Sequence, residues 1–484
     1  MLLHISLDAW IKEYSADPNA ALVELANMLV QAAGLQKVHL DLGSVRGMGE
    51  DGDPLDELIN EARCAELIEE AAQRKSYLEP YPLVDKKTGK KFKAGLNKVI
   101  EQLLEKIKHE ILFDQVLLPW LVEWMTILSL SPHRGVRHTG VEVGMTMMCK
   151  LASLQVEVMS TKSAKERLAA GGAGKGGKKS SVTANLEKES KRLADQAQCI
   201  AEATQNIFDT VFLHRYRDSC DEMRVSCVSA LGRCIEKLPG TYLHDTFLKY
   251  MGWLVYDPSA AVRGTAITRL VSIYKLNSGE TAALTNFTTR FEDRFIEMIA
   301  DTDKNVSIEA IKLATALKQA GMLDKERQAV RNALQLMSMT TDLQPALWKA
   351  LAAFLQLHLH VKKNAADDAP DSPDKSGGGG AIAAGGISRL TNSPLVQLAT
   401  LLRATPEDYD ANAGTSEVPK AGEGSAGEDE KREKDLDDRC TRMVGAMKTM
   451  EPSLTDWPAY VELVRPSSNP SPPRRIRPSA TYLP

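Results

Sequence analysis

An aspartate or serine recurs at near-regular intervals through the middle of the chain, and an apolar residue follows each copy five positions later. The aspartates are 39, 44 and 41 residues apart and the serine precedes the first by 87; the set is Ser131, Asp218, Asp257, Asp301 and Asp342. Between these positions, apolar residues recur mostly at three- and four-residue spacing, as in amphipathic helices. A period of about forty residues restricts the chain to a stack of similar helical units.

The period is typical of helical hairpins of the HEAT or armadillo type. We interpret the recurring aspartate or serine as the cap of the second helix of each pair, with Pro258 in the first turn of one such helix. The double interval predicts a repeat that holds an insertion. The sequence therefore predicts an all-α fold, a HEAT-repeat α-solenoid with flexible low-complexity inserts and tail.

Composition divides the chain further, because glycine, proline and acidic residues concentrate in a few stretches. In order, we predict an N-terminal helical region (1–110), helices with a Lys/Gly-rich insertion (111–206), repeats (207–293), further repeats (294–362), a flexible linker (363–388), helices (389–465) around a disordered acidic insert (405–435), and a disordered tail (466–484).

Composition also limits the function. With 60 basic and 64 acidic residues the net charge is −4, so any nucleic-acid surface must be a local patch. The seven cysteines lie outside any C-x-x-C pair, which indicates reduced thiols, and no apolar run is long enough for a membrane span. "GGAGKGGKKSS" (171–181) has Lys179 where a phosphate loop needs a hydroxyl. We expect no enzyme, no metal and no cofactor.

Two lysine-rich stretches are candidate DNA contacts, because lysines neutralise phosphates without sequence preference. The first, "DKKTGKKFKAG" (85–95), and the second, 162–192 with a net charge of +6, supply Lys86, Lys87, Lys90, Lys91, Lys93, Lys175, Lys178 and Lys179. Solvated loops without a ligand are the alternative. In "SPHRGVRHT" we expect Arg137 to be structural and Arg134 to point outward as a further DNA contact.

An aromatic ridge is predicted on the helix "TYLHDTFLKYMGWLVYD" (241–257). On a helical wheel the core stripe holds Leu243, Phe247, Tyr250 and Leu254, and the opposite side holds Tyr242, Asp245, Lys249, Trp253 and Tyr256. Aromatic side chains between one acid and one base suit recognition of a partner peptide. The alternative is that the neighbouring repeat buries Trp253.

The segment "VFLHRYRD" (211–218) changes from apolar to charged within one turn. We expect Phe208 and Phe212 to anchor this helix in the stack. Tyr216 would then offer a flat apolar face at the surface, and Arg215 and Arg217 would supply charge for phosphate or an acidic peptide. The alternative is that Arg217 only pairs with Asp218 or Asp221.

Four segments together resemble the stromal-antigen (stromalin) subunit of cohesin: "IFDTVFLHRYRD" (207–218), "FLKYMGWLVYD" (247–257), "FTTRFEDR" (287–294) and "RGVRHT" (134–139). The resemblance is strongest over 207–313, which looks like the stromalin conservative domain of that family. Upstream, residues 7–34 look like the N-terminal helices of the family, and residues 438–464 are similar more weakly.

The resemblance implies a hook-shaped scaffold in the nucleus that binds the kleisin and SMC subunits of cohesin, contacts DNA and helps cohesin stay on chromatin. It also implies a pocket for peptides that carry phenylalanine or tyrosine, with Tyr216, Asp245, Lys249, Trp253 and Arg290 at its positions. Family members are usually more than twice this long, and much of their kleisin-binding surface lies in the other half, so kleisin contact stays open.

Two functions therefore remain open. The first is a cohesin-type scaffold for chromosome cohesion that binds DNA and partner peptides. The second is a general α-solenoid adaptor that binds peptides without DNA. Salt-dependent DNA binding separates them, because only the first depends on contacts with phosphates.

Overall fold

The computed structural model describes residues 7–35, 38–41, 66, 68, 70, 80–172, 181–276, 281–339 and 345–367. The chain divides into two compact units, Met1–Phe291 and Glu292–Pro484. Regular structure in the described residues is helical and contains no β-strand, which confirms the predicted all-α class.

Among the described residues, eleven helices lie within the first unit and a twelfth, α12, crosses its boundary. They are α1 (Leu7–Ala16), α2 (Pro18–Ala32), α3 (Gly89–Ile107), α4 (Leu117–Leu130), α5 (Arg134–Gly172), α6 (Ser181–Ile207), α7 (Leu213–Arg215), α8 (Asp221–Lys237), α9 (Pro239–Tyr242), α10 (Asp245–Leu254), α11 (Ala260–Tyr274) and α12 (Thr281–Glu297). A π-helix (Phe208–Phe212) joins α6 to α7, and a short 3₁₀ helix (Ile111–Phe113) precedes α4.

The second unit continues from the end of α12. Its described elements are a 3₁₀ helix (Met298–Ala300), α13 (Lys304–Gln319), α14 (Glu326–Met339) and α15 (Pro345–Asp367). Helix α15 extends five residues into the stretch predicted to be a linker from 363, and the predictions for 368–484 lie outside the described residues.

Helix pairs stack in two layers within the first unit. The first helices of the pairs are α4, then α6 with its π-helical extension, then α10; the second helices are α5, α8 and α11. In the second layer, α8 packs between α5 and α11. The core is apolar at these crossings, with Trp120, Trp124 and Phe212 among the largest fully buried side chains.

The recurring aspartates organise the turns between paired helices, but they are not the caps we expected. Asp218 accepts a hydrogen bond from the Cys220 N–H (2.9 Å), and Asp257 accepts one from the Ser259 N–H (2.8 Å). The helices begin after those later residues, so Cys220 and Ser259 are the N-caps. Pro258 therefore lies before the cap and outside the first turn. The aspartate stabilises the turn, because its carboxylate accepts the N–H of the extended N-cap residue two positions later.

An arginine six residues after Ser131 and another six residues after Asp218 each tie one repeat to the next. The Nη1 of Arg137 donates to the carbonyls of Ser131 (3.1 Å) and Pro132 (2.9 Å), and its Nε donates to Asp218 (2.9 Å). Arg224 repeats the pattern, since it donates to the Asp218 carbonyl (2.7 Å) and to both carboxylate oxygens of Asp257 (2.7 and 2.8 Å). We call this series the turn ladder. The structural role predicted for Arg137 is confirmed.

The ladder residue varies between repeats in the same position. Arg263 donates to the carbonyls of Asp257 (2.9 Å) and Pro258 (3.0 Å). In the second unit, the Ser307 hydroxyl donates to the Asp301 carbonyl (3.1 Å), so a shorter side chain makes the same intra-turn bond. The fourth predicted copy, at Asp342, lies outside the described residues.

Candidate functional site

The π-helix sets the orientation of three aromatic rings. The rings of Phe208 and Phe212 stack at 4.7 Å, and those of Phe212 and Tyr216 stack at 5.7 Å, both with planes 13° apart. Phe208 and Phe212 are buried, which confirms their predicted role as anchors. A π-helical turn is rare and is found frequently at functional sites in proteins.

Tyr216 ends this column, but it is not an open apolar face. Its side chain is buried, with the ring 4.9 Å from that of Tyr250 and 6.3 Å from that of Trp253. The guanidinium of Arg217 lies 4.9 Å from the centre of the Tyr216 ring. The prediction of an exposed Tyr216 was wrong, because α10 of the next repeat packs over it. Trp253 and Arg217, which lie against the Tyr216 ring, form the surface here instead.

Trp253 is the exposed part of the aromatic group. Half of its surface (50%) is open to solvent, and Tyr256 one turn later is 57% exposed. The alternative that a neighbouring repeat buries Trp253 is therefore wrong. The Trp253 ring makes an edge contact with Tyr250 (5.3 Å), and the Lys249 Nζ lies 4.9 Å from the Tyr250 ring and 5.9 Å from the Trp253 ring. The result is a pre-positioned aromatic surface beside a cation.

The helical wheel was correct for most of this segment. Leu243, Tyr250 and Leu254 are buried, Phe247 is half-buried, and Asp245 is exposed as expected. Tyr242 was placed wrongly.

Tyr242 is buried and packs edge-on against Phe247 at 4.9 Å. The cause is a break in the helix, since α9 ends at Tyr242 and α10 begins at Asp245, so one wheel does not describe both. Burial also raises the pKa of the Tyr242 hydroxyl above its usual value.

Arg290 lies exposed on α12, and the residue after it brings α12 into contact with α10. A Cβ atom at Gly252 would come within 2.3 Å of the Phe291 ring. Only glycine fits at 252, so α12 sits directly against the helix that carries Trp253. This contact places the residues proposed for peptide binding on adjacent helices.

Arg215 and Arg217 differ in their availability. Arg215 donates to Asp218 (3.0 Å), the same carboxylate that Arg137 binds, and its side chain is only 19% exposed. Burial alone would raise the pKa of Asp218, but hydrogen bonds from the Cys220 N–H and the two arginines hold it below the ordinary value. The charge of Arg215 is thus committed to the turn ladder, contrary to prediction. Arg217 is exposed and contacts Tyr216 instead of the carboxylates considered for it.

The first lysine patch divides into two parts. Lys86, Lys87, Lys90 and Lys91 are exposed in the turn before α3 and in its first turn. Lys93 instead forms an ion pair with Glu142 of α5 (2.7 Å) and donates to the Ser226 hydroxyl of α8 (3.0 Å). Lys93 thereby fixes α3 to the second layer of the stack, and it is a structural contact and not part of the open patch.

Glu142 is the centre of a buried polar cluster. Besides Lys93, it accepts hydrogen bonds from Asn97 (2.7 Å) and from the Ser226 hydroxyl. Burial alone would raise the pKa of Glu142, but the charge of Lys93 and these hydrogen bonds outweigh that effect and lower it. One turn before it, His138 is buried and shares a hydrogen bond with the Tyr81 hydroxyl (3.0 Å).

The remaining residues predicted to contact DNA do not extend the exposed lysine patch of α3 in the described part of the chain. Arg134 is exposed, but one of its terminal nitrogens lies 2.9 Å from both carboxylate oxygens of Glu222, so it does not point freely outward. Lys175, Lys178 and Lys179 lie outside the described residues. Within the described ranges, no group of side chains could hold a metal ion, and no helix is both long and apolar enough to cross a membrane.

Comparison with known sequences matches two domains to this region. The stromalin conservative domain matches residues 217–292, and the STAG domain matches residues 79–189. Over these two segments the chain is similar to the stromalin family. The match to the stromalin conservative domain includes Arg224, Asp257 and Trp253, and the match to the STAG domain includes the lysines of α3, Arg137 and Glu142.

Among curated stromalin relatives, "Sister-chromatid cohesion protein 3" of Arabidopsis thaliana is 29% identical over 65% of this chain and 27% of its own length. "Cohesin subunit SA-3" of Homo sapiens is 27% identical over 63% of this chain and 24% of its own length. The chain thus matches about a quarter of these relatives. The solved structure of cohesin subunit Scc3 from Z. rouxii superposes with a TM-score of 0.70 at 19% identity, covering 92% of this chain and 48% of that one, which shows a shared fold.

Proposed function

We propose that this chain is a non-enzymatic scaffold of the cohesin type that binds partner peptides at the Trp253 surface and DNA at the lysines of α3. It would act in the nucleus on chromatin, with the kleisin and SMC subunits of cohesin as its partners. The family and the names of its relatives as cohesin subunits support this role. The observation that carries it is the half-exposed Trp253 held between aromatic rings and beside Lys249.

The chemistry of the Trp253 surface favours a peptide with an aromatic residue and acidic neighbours. An incoming ring stacks on Trp253, while Lys249, Arg217 and Arg290 supply positive charge around it. Asp245 offers an acceptor for a backbone or hydroxyl donor. The surface exists before binding, so little side-chain entropy is lost when the peptide docks.

The peptide site is tested with a fluorescein-labelled acidic peptide that carries one phenylalanine. We expect Trp253→Ala to weaken binding by about 30-fold or more, since removal of an aromatic anchor typically costs about 2 kcal/mol or more. Leu168→Ala is the matched control, because Leu168 is 65% exposed on α5 far along the chain. Equal affinity of wild type and Trp253→Ala, with unchanged circular dichroism, would remove the site.

The DNA site is tested with a quadruple variant, Lys86→Ala, Lys87→Ala, Lys90→Ala and Lys91→Ala, against a labelled duplex. We expect weaker binding and a smaller dependence of affinity on salt. With each lysine removed, the protein neutralises one phosphate fewer, and the DNA releases one counterion fewer on binding. Lys93 stays in place, since its removal would leave Glu142 buried without its ion pair. If wild type shows no salt-sensitive DNA binding, the chain is a peptide adaptor without a DNA role.

A further inference from the structure

The turn ladder places equivalent residues of three repeats side by side. Arg137 bonds to Asp218 and Arg224 bonds to Asp257, so the turns that begin at 131, 218 and 257 are neighbours in space. The residue just before each of these positions is the last residue of a first-layer helix or of the turn that follows that helix. In chain order these three residues are Leu130, Arg217 and Tyr256.

All three of these residues are exposed. Leu130 is 52% and Tyr256 57% open to solvent, and Arg217 is exposed between them. Six large apolar side chains are exposed among the described residues, and Leu130, Trp253 and Tyr256 are three of them. The other three lie along α5, at Val156, Met159 and Leu168. Half of the exposed apolar side chains are therefore on this one edge.

A second row runs parallel to the first, three residues earlier in each repeat. Its members are Ile127, His214 and Trp253, which are half-buried, exposed and half-exposed respectively. Both rows have the same order, namely an aliphatic end, a basic centre and an aromatic end. We call this two-row surface the turn-edge strip.

The centre of the strip carries excess positive charge. Arg137 and Arg215 both bind the buried carboxylate of Asp218, which neutralises only one of them, and Arg217 lies exposed against the Tyr216 ring. An acidic segment is the complement of this centre. Nucleic acid fits less well, because both ends of the strip are apolar side chains that phosphate and sugar would leave exposed.

We propose that the turn-edge strip binds one extended partner peptide with an aromatic residue at one end, acidic residues in the middle and an aliphatic residue at the other end. The aromatic residue docks at Trp253 and Tyr256, the acidic residues face Arg217, and the aliphatic residue packs on Leu130 and Ile127. This inference rests on the proposed peptide function and adds a second anchor two repeats away from the first.

The repeat spacing sets the distance between the two anchors. Packed helices are about 8–10 Å apart, so two repeats span roughly 16–20 Å. An extended chain advances about 3.3 Å per residue, which places the aromatic and aliphatic residues about five to six positions apart. A peptide much shorter than this reaches only one anchor.

The probes are therefore two fluorescently labelled peptides, Phe-Asp-Glu-Gly-Asp-Glu-Leu and its reverse sequence, which we call the two-anchor peptides. In the matching serine peptides, serine replaces the leucine. We expect Leu130→Ser to weaken binding of the better two-anchor peptide about tenfold, because burial of one leucine side chain contributes about that factor. The serine peptide should bind wild type and Leu130→Ser equally, since this variant adds no charge. Leu168→Ser is the matched control and should change neither affinity.

The outcomes separate the strip from the proposed function. If Trp253→Ala abolishes binding but Leu130→Ser leaves the affinity of both two-anchor peptides unchanged, the second anchor is wrong and the aromatic site stands. If Trp253→Ala changes nothing, the peptide function itself fails. Removal of three residues between the anchors should reduce the two-anchor peptide to the affinity of the serine peptide, and an unchanged affinity would also overturn the strip.

Discussion

At the scale of single residues, His138 links the stability of the first unit to pH. It is buried against the Tyr81 hydroxyl, and burial together with the charge of Lys93 lowers its pKa to about 4. Arg134 acts in the same direction, whereas Glu142 and Asp218 oppose it. The imidazole is therefore neutral in the folded chain at neutral pH.

This depressed pKa predicts loss of stability in mild acid. The pKa of a histidine in the unfolded chain is about 6.5. Below that pH the unfolded chain binds a proton at His138, whereas the folded chain binds it only near pH 4. The stabilisation is complete above pH 6.5, and up to about 3 kcal/mol is lost as the pH falls to 4. Urea unfolding at a series of pH values should show a flatter profile for His138→Gln than for wild type.

The control variant for that measurement is His109→Gln, at an exposed position outside this cluster. Identical pH profiles for wild type and His138→Gln would contradict the buried neutral imidazole. The absolute stability of His138→Gln does not decide the question, because loss of the bond to Tyr81 lowers stability at every pH.

At the scale of elements, close helix crossings depend on single glycines. Gly140 of α5 lies against the backbone of α4, and a Cβ there would come within 2.6 Å of the Ser129 nitrogen and 2.8 Å of the Leu128 carbonyl carbon. A helix backbone cannot move aside as a flexible side chain does. The pair α4 and α5 can approach this closely only because residue 140 has no side chain.

A pair of glycine variants tests this reading. We expect Gly140→Ala to reduce the free energy of unfolding by about 1–3 kcal/mol through overpacking. Gly95→Ala in α3 has no atom within 4 Å of the new Cβ, so it should increase stability by about 0.5–1 kcal/mol through better helix propensity. Denaturation followed by circular dichroism measures both. Similar small effects at the two positions would show that the α4–α5 crossing adapts.

The sequence predicted the helices better than it predicted which side chains contact one another. The apolar period and the recurring aspartates sufficed for paired helices, because both signals are local. The pairing of Lys93 with Ser226 spans 133 positions, and that of Arg134 with Glu222 spans 88, so composition alone marked both as open charges. Tyr216 was misplaced for the same reason, since the rings that cover it belong to the next repeat.

At the scale of the whole described molecule, the two proposed surfaces lie on different layers of the first unit. The lysine-bearing α3 packs on α5 of the second layer, and Lys93 attaches it to α8. Trp253 lies on α10 of the first layer. DNA bound at α3 would therefore approach the stack from the second layer, and a peptide at Trp253 from the first.

This separation predicts that DNA and peptide bind at the same time. Saturating phenylalanine peptide should leave the affinity for duplex DNA within about twofold, since the two surfaces share no residue and exposed charges are screened beyond about 10 Å at 0.1 M salt. Fluorescence polarisation of labelled DNA with and without peptide measures this. Competition between the two ligands would show that they share one surface.

The π-helix at Phe208–Phe212 bears on how this chain can tolerate a change in its length. A π-helical turn holds one residue more than an α-helical turn, so it is how a helix takes up a single-residue insertion without rotating its flanks. Loss of one codon here, for instance that of the exposed Asp209, would restore an α-helix and leave Tyr216 and Asp218 in their places. Deletion of Asp209 should therefore shorten the chain by one residue without moving the aromatic surface.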